Sequence, residues 1–106
     1  MKKYLVIRSA HAHSDLDGIC LYVSIISGDT NLANKIFTNI TNKIKSLETF
    51  PERFQVINNA PEWLSGLRAM YVGKYIVYYV VDNTAYIVNI IRIVHSGIDI
   101  SQLAID

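Results

Sequence analysis

Charge is scarce and evenly split in this 106-residue chain, with ten Lys and Arg against nine Asp and Glu. A formal net charge of +1 excludes the clustered positive potential from which phosphate-backbone binding draws most of its affinity. No direct, sequence-specific contact with nucleic acid is therefore expected. Cysteine occurs once, so no internal disulfide can form, which fits a reducing cytoplasm. Cys20, set between Ile19 and Leu21, reads as a small buried hydrophobe rather than a nucleophile. His11 and His13 have no Cys, Asp or Glu cluster at ligand spacing, so neither a metal nor a cofactor is expected. No stretch reaches the ~20 apolar residues of a membrane span. The basic-then-apolar opening Met1–Ile7 is cut short by Arg8, the histidines and Asp15, unlike a secretory signal. Only two prolines and five glycines punctuate the chain, and no repeat or linker divides it. Residues 1–106 read as one domain.

What the chain does have is apolar residues, 51% of the total, enough for a sizeable core. Residues 3–8 read as a short strand rich in β-branched and bulky side chains. From about Ala12, Leu16, Ile19, Cys20, Val23 and Ile26 recur at helical steps, with Ser14 and Asp15 suited to the positive N-terminal end. Gly28 sits where a helix ends, and Asp29 or Thr30 can cap a second helix to about Thr49. Its inner face is Ala33, Ile36, Phe37, Ile40, Ile44 and Leu47, and Pro51 ends it. Residues 52–66 lack periodicity and read as a long connection. Strands over 67–72, 75–81 and 85–94 follow, joined by tight turns at Gly73-Lys74 and Asp82-Asn83-Thr84. The order β-α-α-β-β-β predicts an α+β fold, a helix hairpin packed on one face of a small antiparallel sheet.

The segment "LRAMYVGKYIVYYVVDNTAYIVNIIRIVHSGID" resembles the C-terminal half of toxins in the RelE/ParE superfamily of type II toxin–antitoxin modules. "SAHAHSDLDGICLYV" resembles that family's opening helix, with its Asp-Leu pair and an Ile three residues later, and "KIKSLETFPERF" resembles the end of its second helix. The likeness runs from Tyr4 to about Leu103. The ParE branch is favoured at two places. Tyr75 opens the third strand of the family's order, at a position where many RNA-cleaving relatives carry arginine. "His95-Ser96-Gly97-Ile98-Asp99-Ile100", with Leu103 beyond, resembles the ParE ending. The resemblance implies a toxin silenced by a cognate antitoxin in a hetero-oligomer and directed at DNA gyrase by protein binding.

The alternative from the same superfamily is a RelE-like, ribosome-dependent endonuclease. It would need a base, a phosphate grip and an acid. Glu62 could be the base, Arg68 and Arg92 the grip, and His95, whose type titrates near neutrality, the acid. Against it stand the missing strand arginine and the balanced charge. A decayed toxin that only binds antitoxin is a third possibility. In the binding reading, Arg68, Arg92, His95 and Asp99 are the candidate target-contact residues. The two arginines can equally be strand-end partners of Asp82 or Asp99, and His95 a structural cap. Alternation places Tyr86, Val88, Ile90 and Val94 on one face of the last strand and Ile87, Ile91 and Ile93 on the other. With both sheet faces apolar and only one helix pair, a second protein is expected to cover the spare face. Tyr75, Val77, Tyr79, Ile91 and Ile93 are the candidate antitoxin contacts.

Overall fold

A computed structural model describes residues 2–58, 60 and 62–98. Its elements run β1 (Leu5–Arg8), α1 (Ala10–Ser27), α2 (Thr30–Lys45), β2 (Arg68–Val72), β3 (Tyr75–Asp82) and β4 (Ile87–His95). The strand order in the sheet is β1-β4-β3-β2. The last three strands form the expected antiparallel meander, while β1 adds to the outside of β4 in parallel, so the sheet is mixed. The long α1–α2 excursion lets β1 return beside the last strand, because a parallel neighbour needs a crossover and not a hairpin.

Helix α1 begins at Ala10, earlier than its apolar period suggests, because Ser9 caps it. The Ser9 hydroxyl accepts from the Ala12 N–H at 3.0 Å and donates to the Ile91 carbonyl at 2.9 Å. Asp15 therefore lies in the second turn and serves another purpose, described below. Gly28 ends α1 in the left-handed region at φ 66°, and Asp29 caps α2 by accepting from Asn31 and Leu32. Helix α2 stops at Lys45, before the expected Thr49. A 3-10 turn over Ser46–Glu48 follows, and the Arg53 guanidinium takes up the Thr49 and Phe50 carbonyls at 2.7 and 3.0 Å. Pro51 opens a second 3-10 turn instead of ending the helix.

Two apolar clusters flank the sheet. Between the helices and the sheet lie Leu16, Ile40, Ile44, Leu47, Met70, Val77, Tyr79, Val88, Ile90 and Ile93. Opposite them Leu67, Ile76, Tyr78 and Val94 are buried as well, packed by Ile57, Ala60 and Leu64 from the connection before β2. The expectation that a second protein must cover the spare sheet face is thus corrected for its centre, where the chain's own connection packs, while Leu5, Ile7 and Tyr71 stay exposed towards its edges. That segment is tied down by an isolated bridge between Val56 and Arg68 and by the Ile57 N–H donating to the Leu67 carbonyl at 2.9 Å.

The face assignment in β4 also changes. The register runs Tyr79 to Ile90 but Tyr78 to Arg92, so one extra residue is inserted as a bulge. A one-residue insertion reverses the side-chain phase beyond it. Ile93 consequently joins Val88 and Ile90 beneath the helices, and Val94 joins Ile91 on the outer side. Tyr86 belongs to the turn before β4, at φ 56°, and not to the strand.

Candidate functional site

The bulge sets Arg92 where its side chain meets α1. Its Nε–H donates to Asp15 Oδ2 at 2.7 Å and its Nη2 to Oδ1 at 2.9 Å, a two-pronged pair of which only 15% of either side chain is exposed. The same Oδ2 accepts the backbone N–H of Ile93 at 2.9 Å. The reason is geometric. Strand β1 pairs with β4 only as far as Arg8 opposite Ile90, and the Ser9 N–H still bonds the Ile90 carbonyl. Beyond that point β4 has no neighbouring strand on this side among the described residues, and the Asp15 carboxylate satisfies the next inward donor in its place. The Asp15 hydrogen bond raises the pKa of Arg92 still further, against the lowering effect of partial burial.

Over this pair opens a cleft of about 530 Å³ between α1 and the end of β4. Ser14, Gly18, Ile19 and Tyr22 line it from the helix, and Tyr75, His95 and Ile98 from the strand ends. The Tyr75 and His95 rings meet edge to face, centroids 5.9 Å apart at 88°. His95 Nδ1 accepts the Gly97 N–H at 3.2 Å, so its ring caps the turn after β4. A second groove of about 370 Å³ lies on the other side of Tyr75, lined by Val23, Leu32, Ile36, Val72 and Lys74. Tyr75 is the residue common to both.

Of the residues nominated from sequence, Arg92, His95 and Tyr75 come together here. Arg68 does not join them. Its guanidinium donates to the Phe54 and Glu52 carbonyls at 2.6 and 3.1 Å and approaches the Glu52 carboxylate at 3.5 Å. It pairs across the sheet with Tyr79, whereas His95 pairs with Tyr75, four residues or ~13 Å away along the strand. Asp82 partners neither arginine as proposed; its carboxylate accepts the Thr84 and Ala85 N–H groups and closes the turn. Glu62 sits exposed on the connection, opening a 3-10 turn over Glu62–Leu64. Asp99 lies outside the described residues.

The candidate antitoxin contacts need correction. Val77, Tyr79 and Ile93 are fully or almost fully buried under the helices and cannot meet a partner without unfolding. Tyr79 is held there by donating its hydroxyl to the Pro51 carbonyl at 2.6 Å. Ile91 is half-buried against the outer cluster, which leaves Tyr75 at a rim. The sequence reasoning missed Asp15 and Tyr22. Asp15 and Asp17 flank the buried Leu16, and only the structure shows that Asp15 turns to the strand while Asp17 stays exposed beside His13. Among the described residues no group of three His, Cys, Asp or Glu is arranged to hold a metal ion, and no helix is long and apolar enough to cross a membrane.

With this geometry in place, comparison with known proteins is informative. No curated protein sequence matches the chain. Among solved structures, the chromosomal ParDE toxin–antitoxin system from P. aeruginosa superposes with a TM-score of 0.73 at 19% identity, covering 88% of this chain and 96% of that one. The RelBE2 toxin–antitoxin complex from Mycobacterium tuberculosis gives a TM-score of 0.59 at 20% identity, covering 88% and 98%. At such identities these likenesses establish the fold. The sequence model for the ParE toxin of the type II toxin–antitoxin system parDE matches residues 6–100, nearly the whole chain. The bulged β4, the Asp-Leu pair of α1 and the strand-opening Tyr75 all fall inside that match, and the chain belongs to the ParE toxin family.

Proposed function

We propose that this toxin acts by binding a protein target, DNA gyrase, and that a cognate antitoxin silences it in a hetero-oligomeric complex. The observation that carries the binding mechanism is the fate of the two candidate phosphate-gripping arginines. Arg92 is engaged by Asp15 and Arg68 by the Glu52–Phe54 segment, at separate places in the sheet. Arg68 lies ~13 Å along the sheet from the Arg92–His95 end, too far for the two arginines to grip one reacting phosphate, as catalysis by positioned groups would require. The near-neutral charge argues the same way.

The antitoxin half of the proposal is supported by the two similar structures, each described as a toxin–antitoxin system or complex. Within this chain the exposed rim formed by Tyr75, Tyr22, His95 and Ile98 offers the aromatic and apolar anchors typical of an interface. Target contact is placed at the same end of the sheet, around His95, with Arg92 held beneath it by Asp15.

The test is expression without antitoxin. Induction of the DNA-damage response with translation initially intact is expected, together with inhibition of supercoiling by gyrase in the presence of purified protein. Messenger RNA cut on ribosomes at codon boundaries within minutes would replace this reading with the endonuclease.

A further inference from the structure

The outward face of α1 is apolar where a helix on a protein surface is ordinarily polar. Leu21, Tyr22, Ile25 and Ile26 are 62%, 63%, 69% and 68% exposed. From Gly18 to Gly28 the chain carries no ionisable acid or base among Asp, Glu, Lys, Arg and His. The nearest charges, Asp17 and Asp29, stand at the two ends of this stretch. Gly18 adds an independent observation. Glycine weakens a helix interior, and here a Cβ would meet nothing within 4 Å. Among the described residues nothing calls for a glycine at this position. A second backbone approaching from outside would.

We propose that free copies of this chain associate in pairs through α1, antiparallel about a two-fold axis, with Gly18, Leu21, Tyr22, Ile25 and Ile26 at the contact. A two-fold interface must be complementary to itself, so any charge it carries is brought close to its own copy unless partnered. An uncharged stretch avoids that penalty. The side chains also form helix-packing ridges. Leu21 and Ile25 make one row at a four-residue step and Gly18, Tyr22 and Ile26 the next, so the first row of one copy can enter the groove between the rows of the other. The missing side chain at Gly18 lets the axes approach closely where the rows cross.

The area is sufficient. Four side chains of this size, each more than three-fifths exposed, offer on the order of 500 Å² per copy, or about 1,000 Å² for the pair, the threshold for a specific interface. A contact of this size belongs with weak, reversible interfaces. A second copy fits the observations better than a charged partner does, because the face offers nothing for opposite charge to recognise. The proposal does not depend on the identity of the toxin's target.

Sedimentation velocity on the full, antitoxin-free chain tests it. At about 50 μM the expected mass is twice the 12.0 kDa of one chain, falling toward 12.0 kDa on dilution. Gly18→Arg and Ile25→Arg each place a charge at the contact without entering the core, and each should remain at 12.0 kDa at every concentration. A thermal melt beside the mass measurement establishes that both variants are folded. Wild-type protein that stays at 12.0 kDa overturns the proposal, as does a pair that persists in both folded variants. If the wild type is monomeric and Ile25→Arg instead loses antitoxin, the face belongs to the antitoxin and self-association is refuted.

Discussion

Asp15 ties α1 to the end of β4 through three hydrogen bonds. Its two oxygens accept from Arg92 twice and from the Ile93 backbone once, all between 2.7 and 2.9 Å. Asp15→Ala would take the two-pronged carboxylate from a mostly buried guanidinium and the acceptor from a strand N–H. The expected cost is ~2–4 kcal/mol, intermediate between a surface pair and a fully buried one. Asp15→Asn keeps an acceptor for Ile93 but not the charge, and should cost less. Urea unfolding of both variants checks this; a change below ~0.5 kcal/mol for Asp15→Ala would mean that the pair is ordinary surface decoration. Tyr79 provides a second residue-scale prediction, dependent on pH. Burial pushes its hydroxyl up to about 12 from an ordinary 10, the neighbouring arginines only partly opposing it. The folded state therefore holds its proton more tightly than the unfolded chain does. Its contribution is fully present below pH 10 and is lost as pH rises toward 12. Tyr79→Phe gives up the hydrogen bond to the Pro51 carbonyl and should cost ~1–2 kcal/mol at neutral pH. Between about pH 10 and 12 the gap to the wild type should close, a comparison that cancels the other tyrosines. A gap that stays constant would show that Tyr79 does not titrate differently on folding.

The caps between the two helices and the first hairpin turn were legible in the sequence because each rests on a few adjacent residues, whereas the Ser9 cap and the reach of the last turn to Tyr86 were not. Gly28 and Asp29 bound their helices as their chemistry predicts, and Gly73-Lys74 joins β2 to β3. The bulge in β4 was not legible, and the reason is specific. Ile90, Ile91 and Ile93 are apolar in either phase, so alternation could not reveal the insertion that places Ile93 beneath the helices. The cover over the outer face was hidden for a related reason. Ile57, Ala60 and Leu64 follow neither a helical nor a strand period, yet they bury Leu67, Ile76 and Tyr78. The Asp15–Arg92 pair spans 77 residues of sequence and depends on where β1 stops, which no local pattern encodes. From this arrangement follows a prediction about β3. It is bonded to strands on both sides and covered on both faces, so its amides should exchange among the slowest in the free protein. Adding antitoxin should change the exchange of β3 little. Strong new protection confined to β3 would show that the connection does not cover the outer face in solution, and would restore the partner to that role.

For the molecule as a whole, the question is whether the end of the sheet at His95 performs chemistry or makes contact. Its ring stacks on Tyr75 and its Nδ1 accepts from Gly97, an arrangement that shapes the turn leaving β4. If His95 were the acid of a nuclease, His95→Gln would lower the rate by ~10²–10⁴-fold. In the binding reading it remains largely toxic, because glutamine still offers a hydrogen-bonding side chain at the rim. Removing residues 97–106 is the complementary change. Among the described residues the core ends at Val94, and Gly97 and Ile98 are exposed, Ile98 on the lip of the cleft. The shortened chain should therefore fold and still capture antitoxin, since the helices, the sheet, Tyr22 and Tyr75 remain and only Ile98 is lost from the rim. It should no longer be toxic, having lost the surface beyond β4 that the target is proposed to grip. Growth after induction measures toxicity, and co-purification with antitoxin reports the fold. A non-toxic His95→Gln beside a fully toxic truncation would move the site from the contact surface to the imidazole and return the endonuclease to consideration.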